Sequence, residues 1–186
     1  MTVNERHVLV VCTANVCRSP VAERLLQREW AAAGIPVRVQ SAGSLGGRNN
    51  VHGYTVEAAR FARIDLTDHR SRPLTTEMIA TEGADLVIGM AREHLRAAIS
   101  LEPSCWPRAF TMRELVRRTG ELPTPPADWD DWLAACHDGR HMGDLMVPEP
   151  TDDLPDPYGR PLSDHIMMVQ EVAGASALIA TALPGN

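Results

Sequence analysis

Cys12 and Arg18 stand six positions apart, with Thr13, Ala14, Asn15, Val16 and Cys17 between them and Ser19-Pro20 after. The thiolate is the nucleophilic form of cysteine, and backbone N–H groups, a helix N-terminus or a nearby cation all favour it. Arginine offers a planar fork of donors that fits two oxygens of a tetrahedral oxyanion. A loop of this length between them can turn its amides inward and cradle an anion the size of phosphate. A nucleophile and an electrostatic clamp in one cradle are equipment for attack at a phosphorus-like centre. Alone, the spacing is common by chance, and a packed thiol near a surface arginine is its ordinary meaning. The elements around it decide.

Val8-Leu9-Val10-Val11 is a short run of branched apolar residues, the pattern of a strand buried on both faces. Ser19-Pro20 suits the start of a helix, where proline's missing donor costs nothing. Val21, Leu25, Leu26 and Trp30 recur at helical spacing, and Gly34 with Pro36 closes the run. A second strand over residues 37–39 is expected to break at Ser41-Ala42-Gly43. Strand, loop, helix and strand make a βαβ unit. In an open parallel sheet, ligands gather beyond the carboxyl ends of the strands, where the loop from Cys12 to Arg18 falls.

Further along, residues 44–54 read as a Gly- and Asn-rich loop. Residues 55–63 read as a helix with Val56, Ala59 and Phe61 available for packing. Residues 84–90 read as a third buried strand, and residues 92–99 as a helix. A short fourth strand ends at Ala109-Phe110. Thr111 and Glu114 then form a capping box for a helix through Arg118, closed by Gly120. Residues 121–157 hold seven prolines, with one short helix expected around Trp129–His137 under an Asp128 cap. Long irregular stretches of this kind serve as lids or excursions. Ser163 is expected to cap a last helix to about Thr181, with Ile166, Val169, Ala173 and Ala177 facing inward. The pattern predicts one domain over residues 1–186: an α/β three-layer sandwich in which helices flank a four-stranded parallel sheet, with an excursion at about 121–155.

A hydrophobic share of 44% supports a real core, and the formal net charge is −6. No global basic surface marks a nucleic-acid or anionic-membrane partner, so an anionic ligand needs a local positive site. The apolar run at residues 7–11 is too short for a secretion signal, and nothing approaches the roughly 18 apolar residues of a membrane span. The cytoplasm is the default address. The four cysteines, Cys12, Cys17, Cys105 and Cys136, lack the clustered pairs of a zinc site, and no cofactor is expected.

The segment Val11-Cys12-Thr13-Ala14-Asn15-Val16-Cys17-Arg18-Ser19-Pro20 resembles the signature of low-molecular-weight protein tyrosine phosphatases. Ser41-Ala42-Gly43, Asp68-His69-Arg70-Ser71-Arg72, the strand at residues 84–90 and Asp156-Pro157-Tyr158 follow in that family's order. The resemblance implies metal-independent hydrolysis of phosphotyrosine or another aryl phosphate monoester. Cys12 would attack phosphorus and become a phosphocysteine. Arg18 would bind the equatorial oxygens, and Thr13, Ala14, Asn15, Val16 and Cys17 would complete the cradle. Asp156 would protonate the leaving phenolate and then deprotonate water. Ser19 would hydrogen-bond the thiolate, Asn15 would hold the loop through Ser41 and His69, and Tyr158 would face the substrate ring. The implied partners are a phosphotyrosine protein or small aryl phosphate, and a cognate tyrosine kinase. The resemblance also admits a protective disulfide between Cys17 and Cys12, against plain packing of Cys17 on the sheet.

The match has departures. Ala14 stands where the family usually has glycine, and alanine lacks glycine's freedom at positive φ. Residues 44–50 bring no aromatic before Tyr54, and Gly159 follows Tyr158 where a second aromatic often lies. Read alone, Asp156-Pro157 is turn chemistry, His69 is a turn histidine, and Arg70 and Arg72 are solvated charges. Trp129 and Trp132 either cover the cleft or pack a small added helix, the second being favoured, and Cys105 and Cys136 read as structural. Two other functions stay open. Arsenate reduction would use Cys12 on arsenic but needs further thiols, either a tight pair elsewhere in the chain, which Cys105 and Cys136 do not form, or an external low-molecular-weight thiol. A phosphoprotein-binding module without turnover would have no need to keep Cys12, Arg18 and Asp156 together.

Overall fold

The computed structural model describes residues 5–47, 49–80, 83–124, 126–147 and 149–182. Four strands, β1 (Arg6–Cys12), β2 (Val37–Gly43), β3 (Leu86–Gly89) and β4 (Ala109–Thr111), form one parallel sheet in the order β2-β1-β3-β4. β1 pairs on both sides, so Val8, Leu9, Val10, Val11 and Cys12 are all buried. That is why this run carries no polar residue. β2 does not break at Ser41-Ala42-Gly43, as the sequence suggested. These residues continue the ladder opposite Val10, Val11 and Cys12, and their small side chains fit the buried end of the strand.

The helices are α1 (Arg18–Ala32), α2 (Gly53–Phe61), α3 (Thr76–Ile79), α4 (Arg92–Leu101), α5 (Met112–Gly120), α6 (Trp129–His137) and α7 (Leu162–Ala180). Short 3-10 turns cover Pro103–Arg108, Met142–Met146 and Pro150–Asp152. Period-two alternation along β1 sends Val8 and Val10 to one face, against Leu25, Leu26 and Trp30 of α1 and Met168 and Val172 of α7. Leu9 and Val11 go to the other, against Ile79 of α3 and Leu95 and Ala98 of α4. The result is the three-layer sandwich expected from the alternating strands and helices.

Several boundaries shift for local reasons. α2 begins at Gly53 because His52 caps it, its Nδ1 accepting from Tyr54 N at 3.3 Å. Phe61, expected to pack, ends that helix 72% exposed. α7 begins at Leu162 after Pro161. Ser163 lies in its first turn and bonds Asp164 instead of capping the helix. Its buried face carries His165, Met168, Val169, Val172, Ser176, Ile179 and Ala180, while Ala177 is exposed. Of the residues expected inward, Val169 is buried and Ile166 and Ala173 pack partly buried against the core, while Met167 and Leu178 lie exposed on the far side.

The capping box at Thr111 and Glu114 forms as read, and Asp128 caps α6 by accepting from Asp131 N at 2.9 Å. Trp129 lies 5.9 Å from Trp30 and 5.4 Å from Trp132, ring centre to ring centre. Trp132 donates its Nε1–H to Thr119 Oγ1 at 2.9 Å. The excursion's tryptophans therefore pack α6 onto the helical layer and do not cover the cleft. Pro125 and Pro148 of the same stretch lie outside the described residues.

Candidate active site

Cys12 ends β1 and Arg18 opens α1. β1 is the strand from which the chain leaves toward β2 on one side and later returns to β3 on the other. The loop between them thus sits at a topological switch point, where neighbouring connections diverge and leave a crevice. Cys12 Sγ accepts two hydrogen bonds, from Asn15 N at 3.2 Å and from Ser19 Oγ at 3.0 Å.

Asn15 is fully buried at φ +57°. Its Nδ2 donates to Ser19 Oγ at 2.9 Å and to Ser41 Oγ at 2.8 Å. Its Oδ1 accepts from Arg72 N at 3.1 Å and from His69 Nε2 at 3.2 Å. Asparagine is among the few non-glycine residues that tolerate the left-handed region, so the sharp turn falls on Asn15. Ala14 keeps a negative φ, and its methyl is no obstacle to the loop. His69 Nε2 faces two acceptors, Asn15 Oδ1 and Asn15 O, which places its proton on that nitrogen. Burial lowers its pKa and keeps the ring neutral. Arg72 corrects the reading of a solvated charge: its Nε donates to Ser41 O at 2.8 Å, and its backbone N–H supports Asn15.

The cradle is also held from outside. Ser44 N and Leu45 N donate to Cys12 O and Thr13 O at 2.9 and 2.8 Å, and His52 N donates to Val16 O at 2.9 Å. A Cβ at Gly43 would lie 2.8 Å from Thr13 O and 2.9 Å from Ala14 C. Glycine there lets β2 pass directly beneath the loop.

The Arg18 side chain is only 3% exposed. Its Nη1 donates to Leu154 O at 3.1 Å, and its Nη2 donates to Asp156 Oδ2 at 2.6 Å and Thr13 Oγ1 at 3.1 Å. Its Nε–H is buried without a partner among the described residues, a donor available to an anion. Asp156 comes from a loop tied to the sheet by Leu154 N on Met90 O at 2.8 Å. Its Oδ1 accepts from Tyr158 N at 3.1 Å, and Arg160 N closes the turn on Pro157 O at 2.9 Å. Gly159 takes φ +75° in that turn, which explains a glycine beside Tyr158.

Cys12, Thr13, Ala14, Val16, Cys17, Arg18, Asp156 and Tyr158 line a cleft of about 200 Å³. Sequence reasoning missed the ring that backs Tyr158. His52 meets Tyr158 edge to face at 5.5 Å and stacks on His165 at 4.8 Å. Its signal would have been an imidazole two residues before Tyr54, in the loop expected to supply a wall. Cys17 is buried, and burial pushes its thiol up to about 12, so it keeps its proton near neutral pH. Among the described residues no three His, Cys, Asp or Glu side chains gather in a metal-binding group.

The family described as low molecular weight phosphotyrosine protein phosphatase matches residues 7–131. A protein-arginine-phosphatase of Bacillus subtilis is 35% identical over 109 residues, covering 59% of this chain and 71% of that protein. The crystal structure of a low molecular weight protein tyrosine phosphatase from T. tengcongensis superposes with a TM-score of 0.72 at 29% identity, covering 96% of this chain and 100% of that one. A mutant of the arginine phosphatase YwlE with a phosphorylated active-site serine superposes with a TM-score of 0.70 at 27% identity, covering 94% and 93%. With the family match spanning two thirds of the sequence and Cys12, Arg18 and Asp156 converging on one cleft, this chain belongs to the low molecular weight phosphotyrosine protein phosphatases.

Proposed function

We propose that the cleft hydrolyses aryl phosphate monoesters, phosphotyrosine foremost, through a phosphocysteine on Cys12. The observation that carries this is the convergence on one small cleft of a sulfur that receives two hydrogen bonds, a buried arginine whose Nε–H has no partner among the described residues, and a carboxylate on the same guanidinium. Cys12 Sγ attacks phosphorus and the bond from phosphorus to the aryl oxygen breaks. Asp156 gives its proton to the departing oxygen. Arg18 Nε and Nη2 and the loop amides hold the equatorial oxygens, so the anionic phosphoryl group replaces Asp156 as Arg18's partner. Water then attacks phosphorus, Asp156 takes the proton, and the S–P bond breaks with its electron pair returning to Cys12. Ser19 Oγ and Asn15 N stabilise the departing thiolate. A phosphoryl group on the active-site serine of the YwlE mutant supports a covalent route.

Tyr158 gives the cleft one ring wall, held edge to face by His52, which favours a phenyl leaving group. The Bacillus subtilis relative favours a second reading, phosphoarginine. Side-by-side turnover of a chromogenic aryl phosphate and a phosphoarginine peptide separates the two, and an arginine preference would replace the first. Cys12→Ser is expected to abolish turnover of either. Asp156→Asn is expected to slow poor aryl leaving groups about 100-fold and good ones far less; equal slowing removes the acid role.

The same reading takes residues 1–186 as one domain bearing the excursion at 121–155, working in the cytoplasm against a tyrosine kinase. Four free cysteines fit a reducing compartment. Cys105 and Cys136 lie in different core clusters, an arrangement that does not supply the in-chain thiol pair of an arsenate reductase.

A further inference from the structure

One fully buried side chain touches the cradle without taking part in the chemistry above. His94 lies in the first turn of α4. Its Nδ1 accepts from Ala91 N at 2.9 Å. A backbone N–H only donates, so Nδ1 bears no proton and the ring's proton sits on Nε2. Nε2 lies 3.0 Å from Thr13 Oγ1 and therefore donates to it. Thr13 Oγ1 also accepts from Arg18 Nη2 at 3.1 Å. Two donors fill the oxygen's lone pairs and turn its own proton outward, toward Glu93 Oε1 at 3.5 Å. Every bond in this chain has its direction fixed, from the Ala91 amide to the guanidinium.

We propose that His94 is a positioning residue that sets Arg18 through the Thr13 hydroxyl. The proposal rests on the reading of Arg18 as the phosphoryl clamp. In that reading Asp156 must let go of Nη2 to handle a proton. Thr13 is then the side chain among the described residues that still holds Nη2. A threonine hydroxyl left to rotate can point its proton at the guanidinium and repel it. A donor from His94 removes that option and leaves a lone pair for Arg18. The groups around the imidazole keep it neutral: burial first and the charge of Arg18 next push it down to about 3, with Arg96 adding to them. Glu93 Oε1, 3.3 Å from Nε2, is the acidic group nearby and is mostly exposed. An imidazolium would lose the Ala91 bond and set a second cation beside Arg18.

The test is a mutant cycle read by aryl phosphate turnover, competitive inhibition by inorganic phosphate, and thermal melting. His94→Asn keeps an acceptor for Ala91 N but is too short to reach Thr13. It is expected to lower kcat/KM about 10-fold and to weaken phosphate inhibition by a similar factor, as a misplaced clamp would. Thr13→Val is expected to do the same, and the double variant to be no worse than the poorer single within about twofold. His94→Gln can accept from Ala91 N as a capping-box glutamine does and still donate to Thr13, so it is expected within about threefold of the unmutated enzyme. Multiplying effects in the double variant overturn the proposal, as does unchanged phosphate inhibition in His94→Asn. If His94→Asn does not fold, His94→Gln decides: a tenfold loss with an unchanged melt refutes the relay, and retained activity supports it. Arg18→Lys separates the two levels. If it leaves turnover and phosphate inhibition intact, the clamp reading has failed; if it abolishes both while the His94 variants are silent, only the relay has.

Discussion

Asn15 sets the shape of the loop from Cys12 to Arg18, and its neighbours show how. It is buried in the left-handed region and joins Ser19, Ser41, His69 and Arg72 through one amide. Asn15→Ala removes those bonds and places a methyl residue where L-amino acids pay about 1–2 kcal/mol. Each buried group left unpaired costs about 1–3 kcal/mol more. The expected outcome is a loss of at least about 3 kcal/mol in urea unfolding and about a 100-fold fall in kcat/KM. Ala14→Gly is expected to do the reverse of what the family pattern suggests. Ala14 is not in the left-handed region, so glycine only loosens the unfolded chain, lowering stability by up to about 1 kcal/mol with no gain in rate. A faster Ala14→Gly enzyme would mean that the alanine strains the loop. That Cys12, Arg18, Ser19 and Asp156 gather at one cleft was legible in the sequence, because the proposed chemistry needs particular residue types at a particular spacing or order. Arg72 and His94 were not, because they act through a backbone N–H or across some eighty positions of chain, and no local pattern records such contacts.

Elements were legible where one apolar period dominates and illegible where a neighbour sets the boundary. β1 and α1 carry their patterns openly. β2 runs on through Ser41-Ala42-Gly43 only because β1 pairs with it, and the face α7 buries is the one that lies against α1 and α2. The strand that looked like a turn is what the cradle rests on. Gly43→Ala would bring a methyl to 2.8 Å from Thr13 O and within 3.0 Å of Asn15 N. These are backbone atoms with no rotamer to yield. The ladder holds β2 in register, so the loop is the part that moves. Gly43→Ala is expected to leave far-UV circular dichroism unchanged and to cut kcat/KM at least about 10-fold. Gly34→Ala is the matched control. Gly34 has φ +71° and open space around it, so alanine there is expected to cost about 1 kcal/mol of stability with kcat unchanged. If the two variants lose activity alike, the close approach of β2 to the loop has no special place in catalysis.

Over the whole molecule, burial has collected histidines that must stay neutral. His69, His94, His137 and His165 all have pKa values lowered by desolvation, His94 to about 3. In the unfolded chain each titrates near 6.5. Below that pH the unfolded state binds more protons than the native state, so stability rises with pH across the interval and is lost as pH falls from about 6.5. For His94, fully buried, the cost grows by about 1.4 kcal/mol per pH unit below 6.5 until the native ring itself protonates near 3. Asp152 opposes this: burial raises its pKa, so its contribution falls as pH rises through the carboxylate range. The contributions of the lowered carboxyls are lost only below their unfolded values, 3.8 for Asp65 and 4.5 for Glu77, Glu102 and Glu149. Between pH 6.5 and 5 the histidines therefore set the slope. Urea unfolding is expected to show stability falling over that interval with an uptake of more than one proton on unfolding. His94→Gln, which has no titrating group, is expected to reduce that uptake by about one. The same variant that leaves the Arg18 clamp in place should thus flatten the acid limb of stability, and an unchanged slope would mean that His94 is charged in the folded protein, which the one-way bonds from Ala91 to Thr13 forbid.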